Sequence, residues 1–163
     1  MVLILLLACA DPVASRPDVS PPNGIRLTAA LTEVSQCGGK SPEIRWQGLP
    51  PETGSIALTL IEPSPQGPWV HWMAWDIHPD QTGLEASILP THAPPIQGIG
   101  SNNAVGYSAP CPEGEARYEL RVFALGAPLG LPPTTSWQAL GVAIQAHTLA
   151  WGQLIFEVSG ADN

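Results

Sequence analysis

Short apolar segments separated by glycines and prolines make up most of the chain beyond its N-terminal region. Residues 56–61 and 69–77 carry apolar side chains at both odd and even positions, which is typical of strands that are covered on both faces. Residues 117–125 alternate between apolar side chains and Arg or Glu, so we expect one face of this strand to meet water. Residues 153–158 are predicted to form a final strand. These patterns indicate a fold built mainly from β-strands.

One stretch departs from this period of two. Trp137, Leu140, Ile144, Thr148 and Trp151 are spaced by three or four residues, which places them on one side of an amphipathic helix. The Thr-Thr-Ser segment just before them supplies candidates for the helix N-cap. We therefore predict a mainly β protein, an antiparallel two-sheet sandwich with a C-terminal helix packed on it.

The composition is that of one globular domain with many turns. The chain has 163 residues, of which 16 are Gly and 19 are Pro, and 44% are hydrophobic. A chain of this length buries roughly two thirds of the surface that its unfolded form exposes. The 14 acidic and 6 basic residues give a net charge of −8. This charge argues against a nucleic-acid partner, because phosphate contacts depend on Lys and Arg.

The N-terminal region reads as a targeting segment. Residues 1–10 are apolar and uncharged, but a helix that crosses a membrane needs about 20 such residues. We interpret residues 1–8 as the apolar part of a signal peptide. Residues 9–23 contain four prolines and are predicted to form an extended tether. Residues 24–163 are then the folded domain.

Residues 6–9 read Leu-Leu-Ala-Cys and resemble the bacterial lipobox, in which the cysteine is lipidated and becomes the new N-terminus. Acyl chains on Cys9 would anchor the domain to a membrane. The next residue is Ala10 and not the Asp that retains many lipoproteins at the inner membrane. We expect a periplasmic location in a bacterial cell envelope, at the outer rather than the inner membrane. An ordinary signal peptide with an incidental cysteine is the alternative.

Four histidines are candidates for chemistry. His71 lies in the most apolar predicted strand, after an acidic turn that begins at Glu62. Parity places it with Trp69, Met73 and Trp75 on one side of the strand. A buried imidazole beside a carboxylate can hold an anion or transfer a proton, although a purely structural core histidine fits the same pattern.

The other histidines are assigned lesser roles. His147 lies near the end of the predicted helix, where a cation suits the helix dipole, and His78 and His92 lie in predicted loops. No HExxH or CxxC motif is present, so we expect no metal and no cofactor.

No nucleophile is identified by the sequence. No serine lies in a GxSxG motif, and the spacing does not support a triad of Ser101 or Ser108 with His71. We therefore expect a protein that is not an enzyme, and hydrolysis with His71 as base and Glu62 orienting it is the least favoured function.

Two cysteines remain once Cys9 is assigned to lipidation. Cys37 and Cys111 could form a disulfide in an oxidising periplasm. Two separate buried thiols are the alternative, and the sequence leaves both open.

Four segments, taken in order, resemble the phosphatidylethanolamine-binding protein family, whose bacterial members are called Raf-kinase-inhibitor-like proteins. Residues 37–46 (CGGKSPEIRW) are similar to the family's cysteine loop and Trp strand. Residues 58–72 (LTLIEPSPQGPWVHW) are similar to its acidic turn and His-Trp strand. Residues 106–125 (GYSAPCPEGEARYELRVFAL) and 146–154 (AHTLAWGQL) resemble its Pro-Cys loop with the following strand and its closing segment.

The resemblance implies a large antiparallel sheet with a second, smaller sheet, and a small surface pocket for an anion such as the phosphate of a phospholipid head group. Cys111 would lie at the rim of this pocket, and Trp72 is a second candidate for its wall. The residues that the resemblance assigns to the pocket are Glu62, His71, Tyr118, Trp69, Ala109 and Pro110.

Three positions differ from the family pattern. The second acid of the turn is replaced by Ser64, or it is lost in a turn two residues shorter, and Ala109 replaces a glycine beside the pocket. Ala116 stands where the family has the first histidine of His-Arg-Tyr, which removes a hydrogen-bond donor that would touch an anion.

We expect a membrane-tethered binding protein of this family, with a pocket whose specificity is altered. The alternative is a protein-interaction or inhibitor domain that regulates a kinase or protease. Its pocket would be vestigial, and its Pro-rich loops at 63–68 or 90–95 would contact a protein partner.

Overall fold

The structure is a computed structural model and describes residues 24–29 and 37–158. The predictions for the signal segment, for Cys9 and for the tether lie outside these residues. Within the described ranges, no helix has the length and apolar character to cross a membrane.

The chain folds into short strands at its start and long strands in its second half. Their bounds are β1 (Arg26–Ala29), β2 (Ile44–Gln47), β3 (Ser55–Glu62), β4 (Trp69–Ile77), β5 (Gly83–Leu84), β6 (Ile96–Gln97), β7 (Ala116–Leu125), α1 (Trp137–His147) and β8 (Thr148–Val158).

The strands form two antiparallel sheets, which confirms the predicted mainly β sandwich. The smaller sheet has the order β1-β2-β5, and the larger has the order β6-β4-β3-β7-β8. The main core lies between them, where Trp46 of β2 packs with Leu58 of β3 and Trp72 of β4. A second apolar cluster joins the outer face of β3 and β4 to Leu140 and Ile144 of α1. The strands β3 and β4 are thus covered on both faces, as their apolar pattern predicts.

The helix is shorter than the spacing of apolar residues predicts. It begins after Ser136, whose side chain accepts a hydrogen bond from the Ala139 N–H, and it ends at His147. Thr148 has extended backbone angles and begins β8, so the prediction that Thr148 and Trp151 are helical was wrong. The reason is strand pairing, because β8 pairs with β7 along its length and Trp151 lies opposite Phe123.

The predicted wet face of β7 is only partly exposed. Arg117 is exposed, but Glu119 is buried. The Glu119 carboxylate accepts from Arg121 Nη2 at 2.6 Å and from Arg117 Nη2 at 3.4 Å. A buried carboxylate is tolerated when it is paired in this way, and alternation alone could not show that pairing.

Candidate ligand-binding site

A β-bulge in β4 positions the candidate histidine. Leu60 pairs with Trp72, but the next residue of β3, Ile61, pairs with Val70. His71 is therefore the extra residue of β4. A bulge of this kind changes the direction of a side chain and is common beside functional sites.

Because of the bulge, the His71 side chain lies on the side of the sheet that faces the main core and not on the side that regular alternation predicts. Its ring contacts the ring of Tyr118, a residue of that core, with centroids 5.3 Å apart in an edge-on arrangement. Met73 and Trp75 lie in the other cluster, which packs against the helix. The prediction that His71 shares a side with these two residues was therefore wrong, because simple alternation does not hold across a bulge.

The loop that follows β6 fixes the orientation of the His71 ring. His71 Nδ1 lies 2.9 Å from the Ser108 carbonyl oxygen, which can only accept a hydrogen bond, so Nδ1 carries the proton. The Ser108 N–H in turn donates to the His71 carbonyl at 2.8 Å. The other ring nitrogen, Nε2, is buried and has no hydrogen-bond partner among the described residues.

Glu62 lies on the open side of this ring. Its Oε2 is 3.7 Å from His71 Nε2, which is too long for a hydrogen bond, and 41% of the Glu62 side chain is exposed. The imidazole itself is almost fully enclosed, with 6% of its side chain exposed. A partly exposed carboxylate therefore lies next to a buried nitrogen.

Tyr118 completes the cluster. Burial raises its pKa to about 12, and the charge of Glu62 and a hydrogen bond to Glu62 act in the same direction. Tyr118 therefore keeps its proton at neutral pH, and the neighbouring Glu62 carboxylate can only accept a hydrogen bond.

The loop that carries Ser108 is held at both ends. At its start the Gly106 N–H donates to the Gly98 carbonyl at 3.0 Å, and Gly106 has a φ of +97°. At its end Cys111 forms a disulfide with Cys37, whose N–H donates to the Pro110 carbonyl at 2.9 Å. The structure thus contains the cysteine pair that the sequence left open, and the pair lies next to the site.

Most residues assigned by resemblance surround this cluster. Pro110 is buried and Ala109 is partly buried in the loop after Ser108. Trp69 pairs with Glu62 across the hairpin and is 49% exposed, so it stands at the edge rather than inside. Ala116 packs against the main core two residues before Tyr118.

Trp72, the second candidate for the wall, is fully buried in the main core, where its indole N–H donates to Gln97 Oε1 at 2.7 Å.

Other candidates from the sequence lie away from the cluster. Ser64 is in the exposed turn between β3 and β4, where its hydroxyl donates to the Gly67 carbonyl at 2.8 Å. His78 is exposed beside Asp80, and His147 is exposed at the end of α1. No set of three or more potential metal ligands occurs within residues 24–29 and 37–158.

The role of the Ser108 main chain was missed by sequence reasoning, which considered only the hydroxyl of Ser108. Every residue has a main-chain carbonyl, so the sequence gives no sign of which carbonyl will hold a histidine in one tautomer. Tyr107, whose ring packs edge-on against Trp72 with centroids 5.5 Å apart, was also missed. Burial raises the pKa of Tyr107 well above its usual range. Both residues belong to the segment that carries the family resemblance.

Comparison with known sequences and structures gives one consistent result. The family profile described as phosphatidylethanolamine-binding protein matches residues 15–159. A UPF0098 protein of Methanothermobacter thermautotrophicus is 36% identical over 126 residues, which are 73% of this chain and 83% of that relative. A UPF0098 protein of Aquifex aeolicus is 36% identical over 136 residues, covering 77% of this chain and 78% of the relative.

Two solved structures share the fold. Escherichia coli YbcL, described as a new member of the mammalian PEBP family, superposes with a TM-score of 0.74 at 21% identity, over 84% of this chain and 99% of YbcL. A putative PEBP homolog from Chlamydia trachomatis gives a TM-score of 0.73 at 23% identity, over 85% and 99% of the two chains. At these identities the likeness is one of architecture.

Proposed function

Because the chain belongs to the phosphatidylethanolamine-binding protein family, we propose that it is a binding protein whose pocket at Glu62, His71 and Tyr118 takes a small oxyanion. The phosphate of a phospholipid head group and free phosphate are the ligands of this chemistry. The observation that carries the proposal is His71 Nε2, which is buried and lacks a hydrogen-bond partner among the described residues. Leaving such an atom unsatisfied costs about 1–3 kcal/mol, which a ligand that hydrogen bonds to it would recover.

Binding is favoured over catalysis by the contacts of the two nearby serines. Ser101 Oγ accepts a hydrogen bond from the Val70 N–H at 2.8 Å, and the hydrogen bonds between Ser108 and His71 involve the Ser108 main chain. A nucleophilic serine would instead present its hydroxyl to the imidazole. The proposal therefore assigns to His71 the recognition of a ligand and not the activation of a nucleophile.

We further propose that Cys9 is lipidated and tethers the domain to the periplasmic side of a bacterial envelope membrane. The lipobox resemblance supports this location, as does the Cys37–Cys111 disulfide, because disulfides persist in oxidising compartments. Expression with radiolabelled palmitate tests it. Label and membrane association should be present in the native chain and absent from Cys9→Ser. Equal membrane association of the two chains would contradict the tether.

Titration with inorganic phosphate and with phosphoethanolamine, followed by Trp fluorescence, tests the pocket. We expect a saturable change, because Trp69 and Trp72 flank His71 in β4. His71→Ala should abolish this change, whereas His147→Ala removes an exposed imidazole from the end of α1 and should retain it. The absence of a saturable change in the native chain, or an undiminished change in His71→Ala, would contradict the proposal.

A further inference from the structure

The polar side chains of the pocket face acceptors of the protein itself. The Nδ1 proton of His71 is donated to the Ser108 carbonyl at 2.9 Å. The Tyr118 hydroxyl keeps its proton, because burial and the neighbouring Glu62 carboxylate, which can only accept, raise its pKa. A carboxylate has no proton to donate. What these groups offer to a ligand is the Nε2 lone pair of His71 and the remaining lone pairs of Glu62.

In the described part of the chain, no arginine forms an ion pair with this cluster. Within residues 24–29 and 37–158, the arginine ion pairs shorter than 4.0 Å join Arg45 to Glu43 and Glu85, and join Arg117 and Arg121 to Glu119. The partner of Glu62 in the same part of the chain is His71.

Ala116 contributes a methyl group on the same side of β7 as Tyr118. The family resemblance places a histidine at this position, so this chain has lost a donor there. The pocket is rich in acceptors and poor in donors as a result.

We propose that the pocket selects an oxyanion that carries its own proton, such as inorganic phosphate or a phosphate monoester, over a fully deprotonated anion such as sulfate or a phosphodiester. The ligand O–H would donate to His71 Nε2 or to Glu62, and its other oxygens would face the solvent-exposed side. This inference rests on the proposed function, and it names which members of the oxyanion class the pocket accepts.

Binding of this kind is linked to protons. Glu62 of β3 and Tyr118 of β7 are the titratable groups that lie against the His71 ring in the described part of the chain, and Tyr107 of the loop after β6 interacts electrostatically with Tyr118. Both tyrosines have raised pKa values, so both stay neutral at neutral and acidic pH. A phosphate monoester loses its second proton near pH 6. Affinity should therefore fall by roughly tenfold for each pH unit above this point, because the bound ligand keeps that proton.

The experiment compares four ligands by isothermal titration calorimetry on the full chain: inorganic phosphate, phosphoethanolamine, glycerophosphoethanolamine and sulfate. The phosphate groups of the first two carry an ionisable proton, whereas the phosphodiester of glycerophosphoethanolamine and sulfate do not. The ammonium group is common to phosphoethanolamine and glycerophosphoethanolamine, so it does not account for a difference between these two. We expect the first two to bind about 10- to 100-fold more tightly below about pH 6, where the monoester keeps its second proton, and this ratio corresponds to one charge-assisted hydrogen bond. The glycerophosphoethanolamine arm separates a lipid phosphodiester head group from a free phosphate as the source of the ligand.

A variant that adds a hydrogen-bond donor should bind more tightly, and a variant that merely unfolds cannot give this result. Ala116→His restores a donor beside the pocket and should strengthen the binding of sulfate and of glycerophosphoethanolamine by roughly tenfold or more. Ala146→His adds the same group on the exposed side of α1 and should leave the affinities of all four ligands unchanged.

The outcomes separate the two proposals. Saturable binding of all four ligands with equal affinity and no dependence on pH would overturn the selectivity and leave the pocket in place. A failure of all four ligands to bind at any pH would overturn the pocket and the selectivity together.

Discussion

Removal of the Cys37–Cys111 disulfide should affect both the stability of the fold and the geometry of the candidate site. The bond closes a sequence separation of 74 residues, and it joins the loop that carries Ser108 to the segment before β2. The double substitution Cys37→Ser and Cys111→Ser replaces both sulfurs with groups of similar size. It should therefore remove the cross-link with little change in packing.

The expected magnitude follows from chain entropy. A cross-link across this separation lowers the entropy of the unfolded chain by an amount worth roughly 4 kcal/mol at room temperature. Measured losses for native disulfides in small secreted domains are about 2–5 kcal/mol. A second effect is local, because Ser108 holds the His71 ring through its carbonyl oxygen. Release of Cys111 should let this loop move and should weaken phosphate binding by roughly tenfold.

Urea denaturation followed by Trp fluorescence measures the first effect, and calorimetry with phosphate measures the second. Cys9→Ser is the control, because it removes the third cysteine and should leave both quantities unchanged. Treatment of the native chain with a reductant should reproduce the double variant. A loss of stability below about 1 kcal/mol would refute the role of the cross-link. An unchanged affinity for phosphate would refute its role in holding the pocket.

Three further predictions concern single positions. Tyr118 has a pKa raised to about 12, so the folded state favours its neutral form. The resulting stability is complete below about pH 10 and is lost as the pH rises toward 12, by at most roughly 1.4 kcal/mol for each pH unit. Urea midpoints across this range should fall more steeply in the native chain than in Tyr118→Phe, and equal slopes would contradict the assignment. Gly152→Ala should destabilise the fold by more than about 1 kcal/mol, since a Cβ there would collide with the Ile25 carbonyl where β1 meets β8. Gly141→Ala meets open space on α1 and should stabilise it by about 0.5–1 kcal/mol; similar thermal midpoints for the two variants would exclude the collision.

The sequence predicts strands well where apolar residues are continuous. Predicted strand 69–77 has the bounds of β4, because a continuous apolar segment that is this short and lies between two prolines favours a buried strand over a helix. The same pattern cannot predict the bulge at His71, since a bulge is a register shift between two strands and not a property of one. The end of α1 at His147 depends likewise on the pairing of β8 with β7.

The candidate site was predictable in part. Glu62, His71 and Tyr118 could be assigned from the family resemblance, and the structure brings them together. The proton arrangement could not be predicted, because it depends on the Ser108 carbonyl and on the distance between Nε2 and Glu62. The disulfide could not be decided from the spacing of two cysteines, whose Cα atoms come within 4.5 Å only in the folded chain.

The proposed binding site depends on one buried nitrogen, His71 Nε2, and ¹⁵N NMR of the histidine side chains observes it directly. In the ligand-free protein, the neutral imidazole of His71 should carry its proton on Nδ1 and not on Nε2. Addition of phosphate should shift the Nε2 signal of His71 in a saturable way and leave the signals of His78, His92 and His147 unchanged. An unmoved His71 signal at saturating phosphate, or equal shifts of all four histidines, would contradict the account.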